Sequence, residues 1–207
     1  AIAIVCMTLS AMHFGLLYSV FATRSLKPLK NTILGYYFGV MAVATLAVAF
    51  SLKISGFESS WGQTFFDSFF NVVSYMTSTG LAVNDNSSWP VLPGLILMLT
   101  AFHCGCSGST TGGIKLDRLI LAVKGIGAEI KHRIHPYSVS QVKMDGHVLP
   151  SDAVSASMMY IVLYLVIAFF SVLVLLLSGS QPLEAFSGVF SSIGCVGPGL
   201  GSIGSLG

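Results

Sequence analysis

Residues 64–81 read TFFDSFFNVVSYMTSTGL, an apolar helical run that stops at a Ser-Thr-Gly turn. Its apolar part, 64–78, is too short to cross the roughly 30 Å of hydrocarbon in a bilayer, which takes about 20 helical residues. Such a short apolar helix reads as re-entrant. The surrounding chain supports this. Residues 1–23, 33–52 and 151–178 are apolar and long enough to cross. Residues 90–122 are long enough too, but HCGCSGSTTGG interrupts them; residues 183–193 are again short and run into GCVGPGLG.

Composition sets the same class. Apolar residues make up 54% of the 207 and charged residues 9%, against about 25% charged in soluble domains, and the mean hydropathy is +0.82. A net charge of +2 is too mild to argue for nucleic acid. Cys6, Cys104, Cys106 and Cys195 lie in apolar or Gly-rich stretches and read as small membrane residues rather than a disulfide framework. The chain opens inside an apolar run without Met and closes in a Gly/Ser-rich stretch, so the expectation is a fragment of a longer protein.

Charge gives an orientation. Nine of the ten Lys and Arg residues, all but Lys53, fall after the first span (Arg24, Lys27, Lys30, with Pro28 between) or after the start of the Gly-rich break (Lys115, Arg118, Lys124, Lys131, Arg133, Lys143). The positive-inside rule makes those segments cytoplasmic. The loops at 53–62, 84–90 and 179–184 are then outside, and the alternation closes only if 64–78 enters from outside and returns there.

Sliding the chain on itself by 117 residues lays Asp67 on Glu184, Phe69 on Phe186, Val72 on Val189, Ser74 on Ser191 and Gly80 on Gly197. The chain thus holds a unit of helix, re-entrant helix, Gly turn and helix, once whole and once without its last helix. Parallel repeats about an axis along the membrane normal enclose a pore, whereas inverted repeats suggest a rocking transporter. An ion leaving water needs its hydration shell replaced, and backbone carbonyls do this without charge. Glycine adopts the required backbone cheaply. The candidate filter is therefore Ser78, Thr79, Gly80 and Leu81 with Cys195, Val196, Gly197 and Pro198, with the ion at Thr79, Gly80, Val196 and Gly197. Uncharged turns favour a monovalent ion. The bland alternatives are an ordinary turn at Gly80 and a helix C-cap at Gly197. Asp67 and Glu184 read as dipole partners in the first turns of the short helices, or as cation attractors at the outer mouth.

Gly105, Ser107, Gly108, Ser109, Thr110, Thr111, Gly112 and Gly113 cannot sit in a regular helix, and irregular backbone at membrane depth must line a cavity or be buried. Below a pore loop they are candidate gate residues; the plain alternative is a packing break made of small residues. Gly105–Gly108 also matches the Gly-x-Ser-Gly of intramembrane serine proteases, which need a His base on a neighbouring helix; His132, His135 and His147 lie in the polar stretch, and no His follows. Gly-Ile-Lys breaks the P-loop pattern. His103, Cys104 and Cys106 have no second ligand cluster to complete a metal site, and His13 alone in a span reads as a helix-contact or cavity residue.

SYMTSTGLAVND, CGCSGSTTGGIKLDR and CVGPGLG resemble the third and fourth repeats of the Trk/Ktr/HKT superfamily of potassium transporters, nearest to the bacterial TrkH-type membrane subunit. The resemblance covers essentially the whole chain. It implies an all-α membrane protein of helix–pore loop–helix units in a pseudo-fourfold arrangement around an ion pore, with one filter glycine per unit. It divides the chain into 1–32 (last helix of a preceding repeat and a basic cytoplasmic link), 33–122 (a complete unit), 123–150 (a cytoplasmic loop) and 151–207 (a truncated unit). It further implies passive K+ uptake by a non-enzyme of the inner (plasma) membrane, multi-pass, with no covalent cofactor and K+ as the ion, and a gate at 105–113. The implied partners are membrane lipid, a second copy in a homodimer and a cytoplasmic ring of nucleotide-binding regulatory subunits facing the basic loop 122–150. A sodium-permeable member of the same family is the alternative within transport, because Thr79 and Val196 before the glycines do not decide between the two ions.

Overall fold

The computed structural model describes residues 2–25, 31–56, 60–82, 89–135, 142–144 and 147–200. Lys27, Pro28 and Lys30 of the basic link, most of the loop at 84–90, and Gly201 of the second turn lie outside the described residues. Among the described residues the fold is helical: α1 (Ile2–Ser10), α2 (Phe14–Thr23), α3 (Thr32–Ile54), α4 (Trp61–Met76), α5 (Val91–His103), α6 (Leu116–Ile134), α7 (Ser151–Leu177) and α8 (Pro182–Ile193). A two-residue hairpin, β1 (Lys143–Met144) and β2 (His147–Val148), pairs antiparallel. The sequence predicts only a polar loop here; Lys124 Nζ ties the hairpin to α6 by donating to Lys143 O at 3.0 Å.

Among the described residues, α3 and α7 are the two single helices long and apolar enough to cross a membrane. Their faces explain why apolar sequence is not the same as buried sequence. Helix α3 packs on α4 and α5 and buries Leu34, Tyr37, Met41, Val48 and Leu52. Helix α7 leaves Met159, Val162, Leu163, Phe169 and Phe170 exposed, as expected of a surface whose solvent is lipid. The centre of the core is instead the short helix α4. It is capped by Ser60, whose Oγ accepts from Gln63 N, and it buries Val72, Val73, Tyr75 and Met76 between α3 and α5. Its polar residues turn inward onto its own backbone: Ser68 Oγ donates to Thr64 O at 2.6 Å and Asn71 Nδ2 to Asp67 O at 2.9 Å.

Two expectations change. The apolar run 1–23 is not one helix: α1 and α2 meet at a bend of 103° at Ala11–His13. Nothing in Ala11-Met12 breaks a helix by propensity; the cause is tertiary and is described below. Asp67 is not in a first turn either. Helix α4 starts at Trp61, whereas α8 starts at Pro182, which the 117-residue offset maps to residue 65. Glu184 does lie in the first turn of α8, but Asp67 sits in the second turn of α4 and is buried.

Candidate functional site

The ends of α4 and α8 have the same backbone, bond for bond. Thr77 N donates to Val73 O at 2.9 Å, and Gly194 N to Phe190 O at 2.9 Å. Ser78 N donates to Tyr75 O at 3.2 Å, and Cys195 N to Ser192 O at 3.1 Å. Thr79 N donates to Ser74 O at 3.0 Å, and Val196 N to Ser191 O at 2.9 Å. Every pair is related by 117 residues. The last two bonds of each set form a Schellman cap, whose left-handed residue is usually glycine. Here it is Ser78 (φ 52°) and Cys195 (φ 54°), with Gly80 (φ 70°) and Gly197 (φ 102°) left-handed two residues later. The sequence reading placed the unusual backbone on the glycines and missed that Ser78 and Cys195 share it. The repeat extends to side chains: Ser74 and Ser191 are both buried with hydroxyls lacking a protein partner.

The two turns face each other. A Cβ placed on Gly80 would run into the carbonyl oxygen of Val196 and lie 3.2 Å from Pro198 Cδ. A Cβ on Gly197 would meet nothing within 4 Å. Thr79 and Leu81 are exposed, as are Cys195 and Gly197, while Val196 and Pro198 are buried. Thr79 Oγ1 lies 2.8 Å from Thr77 Oγ1. Beyond the second turn Leu200 N donates to Ser187 Oγ at 2.9 Å, and Leu200 packs so closely on α5 that a Cβ on Gly94 would be 2.6 Å from its Cδ2.

The Gly-rich segment between α5 and α6 passes directly against both turns. Gly112 N donates to Ser78 Oγ at 3.3 Å, and Ser78 Oγ donates to Cys104 Sγ at 3.3 Å. A Cβ on Gly112 would collide with the carbonyl of Gly194 and lie 3.2 Å from Cys195 Cβ. The loop also accounts for the break between α1 and α2. Cys106 N donates to Ala11 O at 3.0 Å, Thr110 N to Ser10 O at 3.4 Å and Phe14 N to Gly108 O at 3.3 Å. Thr110 Oγ1 adds a bond to Ser10 O at 3.2 Å. Two interrupted helices therefore satisfy each other's free backbone groups, which hydrocarbon could not do. Gly105 makes the approach possible: a Cβ there would be 2.7 Å from Ala11 O. Gly113 has φ 69° and stacks on Cys104, whose Sγ would be 2.6 Å from an added Cβ.

Of the remaining expected residues, Ser109 Oγ donates to Cys106 O at 2.6 Å and pairs with Thr111 Oγ1 at 2.8 Å, and Thr111 Oγ1 accepts from Gly105 N at 3.3 Å. Ser107 is held by its backbone N–H, which donates to the Asp117 carboxylate. His13, expected as a helix-contact or cavity residue, sits at the break and caps α2, its Nδ1 accepting from Gly15 N at 3.0 Å, and its ring lies against Gly108. With Nδ1 accepting that bond, the neutral ring carries its proton on Nε2, so neither nitrogen is free to take a proton from a serine hydroxyl. Among the described residues no group of three His, Cys, Asp or Glu could hold a metal ion.

A family model described as TrkH, cation transport protein, matches residues 42–207. The potassium uptake protein TrkH of Escherichia coli K12 is 30% identical over 200 residues, which are 94% of this chain and 41% of that protein. TrkG of the same strain is 33% identical over 198 residues, 95% of this chain and 41% of TrkG. The crystal structure of the potassium transporter TrkH from Vibrio parahaemolyticus superposes with a TM-score of 0.87 at 28% identity, covering 97% of this chain and 43% of that one. The chain thus spans about two-fifths of the length of these relatives. Their names describe transport and not enzymatic chemistry, in agreement with the expectation of a non-enzyme.

Proposed function

This chain belongs to the TrkH family of cation transport proteins, and on that premise we propose that it forms part of a potassium uptake pathway: passive permeation through a carbonyl-lined filter, controlled by an intramembrane loop. The observation that carries the reading is the bond-for-bond equivalence of the two turns after α4 and α8, brought face to face at Gly80 and Val196. Ser78, Thr79, Gly80 and Leu81 supply one wall of the filter, and Cys195, Val196, Gly197 and Pro198 another, with K+ at Thr79, Gly80, Val196 and Gly197. Both short helices end at these turns, so their partially negative C-termini favour a cation. Carbonyl oxygens replace its hydration shell.

Residues 105 and 107–113 serve as the gate. Their support is position: the loop touches the first turn through Ser78 and the second through Gly194 and Cys195. In this reading residues 1–32 close a preceding unit, 33–122 form a complete unit, 123–150 face the cytoplasm and 151–207 begin the next, within a pseudo-fourfold pore. Potassium is the transported ion and no covalent cofactor takes part. The protein lies in the plasma membrane with its basic segments cytoplasmic. The basic end of α6, with Lys131, His132 and Arg133 in its last turn, offers the surface for a nucleotide-binding regulatory ring, and two copies pair as a homodimer. Sodium permeation is the second reading, since the uncharged turns suit either monovalent ion.

Rubidium flux into liposomes holding the full-length protein tests the proposal. Rubidium entry that potassium suppresses and an equal concentration of sodium does not supports potassium uptake. Equal suppression by both ions favours the sodium-permeable reading, and flux no greater than in empty liposomes refutes permeation.

A further inference from the structure

Lys115, immediately before α6, has φ 74°, a backbone that a residue with a Cβ rarely adopts. Its side chain turns back into the loop. The ammonium donates to Ser109 O at 3.3 Å, Ser109 Oγ at 3.4 Å and Thr111 Oγ1 at 3.1 Å, and also to Thr111 O. Two carbonyls and two hydroxyls of the loop thus gather around one monovalent cation. Uncharged oxygens of this kind are what replaces the hydration shell of a permeating ion. Two residues on, Asp117 is buried and holds the loop from its other end, accepting from Ser107 N. On the side of α7 the loop borders an open-sided cavity of about 400 Å³ lined by Thr111, Gly112, Lys115, Tyr164 and Ile193.

We propose that Lys115 is a tethered cation: its ammonium fills a four-oxygen cage in the loop, occupying a site for a free monovalent cation and holding the loop against the two turns. The proposal rests on the reading of this loop as the gate. It makes Lys115 and Asp117 positioning residues that anchor the loop to α6, so a movement of α6 would reach the filter turns through them. The sequence counts Lys115 among the basic residues assigned to the cytoplasm and in the Gly-Ile-Lys that breaks the P-loop pattern, and gives Asp117 no role; the structure instead turns Lys115 back into the loop.

Single-channel recording of the full-length protein in planar bilayers, without any activating partner, tests the proposal. Lys115→Met keeps the stem and removes the charge; Lys115→Arg keeps the charge. Hydrogen bonds to charged groups stabilise more than neutral ones, so losing the ammonium should raise open probability about tenfold. The reversal potential in a potassium–sodium gradient stays unchanged, and Lys115→Arg stays near wild type. Thr111→Val, which removes one cage oxygen and no charge, shifts open probability in the same direction by a smaller factor. Wild-type or reduced open probability in well-folded Lys115→Met overturns the proposal. If that variant aggregates, wild-type behaviour of Thr111→Val overturns it instead. A wild-type protein that conducts nothing refutes the permeation reading itself, an outcome distinct from failure of the variants.

Discussion

Gly112→Ala is the sharpest local perturbation. The added methyl would collide with the carbonyl oxygen of Gly194, lie 2.7 Å from its carbonyl carbon and 3.2 Å from Cys195 Cβ. The first two are backbone atoms and cannot rotate away. Overpacking of this kind costs about 1–3 kcal/mol, and the question is which side gives. The second turn is tied by three backbone bonds, from Gly194, Cys195 and Val196 to α8. The weakest tie at the contact is that of Gly112 itself, its N–H to Ser78 Oγ at 3.3 Å, worth about 1 kcal/mol; Lys115 and Phe102 hold the flanking residues Thr111 and Ile114. The loop therefore yields, losing that bond and its seat against the turn. A change of about 2–4 kcal/mol in the balance between seated and displaced loop is a shift of more than tenfold. The expected result is unstimulated rubidium flux at least about tenfold above wild type in liposomes, per correctly folded protein. Gly127→Ala is the control, since a Cβ there meets nothing within 4 Å. Gly112→Ala with wild-type flux and an unchanged melting temperature would refute the packing of the loop against the second turn.

Ser78→Ala removes the acceptor of Gly112 N and the partner of Cys104 Sγ; it should cost about 1–3 kcal/mol, read as a lower melting temperature and raised unstimulated flux. Gly125→Ala places its methyl against Val154 and 2.7 Å from Met158 Cε; because both are side chains that can move, the cost should stay near 1 kcal/mol, well below that of Gly112→Ala, by thermal melting. His13→Leu deletes the cap of α2 and should lower stability by about 0.5–2 kcal/mol, with ion preference unchanged. Ser107→Ala should leave potassium flux within a few-fold of wild type; complete loss of an activity on that substitution alone would revive the protease alternative.

Much of this was legible in the sequence for reasons that can be named. The short apolar helices stood out because length against bilayer thickness is a hard constraint, and α4 and α8 end within two residues of where 64–78 and 183–193 stop. The 117-residue offset is visible in side chains and reappears in the backbone bonds of the two caps. What escaped was tertiary. No propensity breaks a helix at Ala11-Met12; the break exists because the Gly-rich loop supplies replacement donors from about a hundred residues away in the chain. The left-handed Ser78 and Cys195 carry no glycine to announce them. Asp67 falls in the second turn because α4 starts four residues earlier than its repeat mate, a boundary that hydrophobic pattern does not fix. Lys115 and Asp117 gained meaning only once the loop folded back onto α6.

The central claim is that the turns containing Gly80 and Gly197 are two walls of one selective pathway. The most direct test is potassium uptake by the full-length protein and its Gly80→Ser variant in potassium-starved cells lacking their own uptake systems, over a range of external potassium and sodium. A side chain at Gly80 must displace the Val196 carbonyl, so the account predicts that wild type takes up potassium at low concentration and that the variant loses its preference over sodium. Equal uptake and equal preference in the two proteins would contradict it, leaving Gly80 as a turn residue and nothing more.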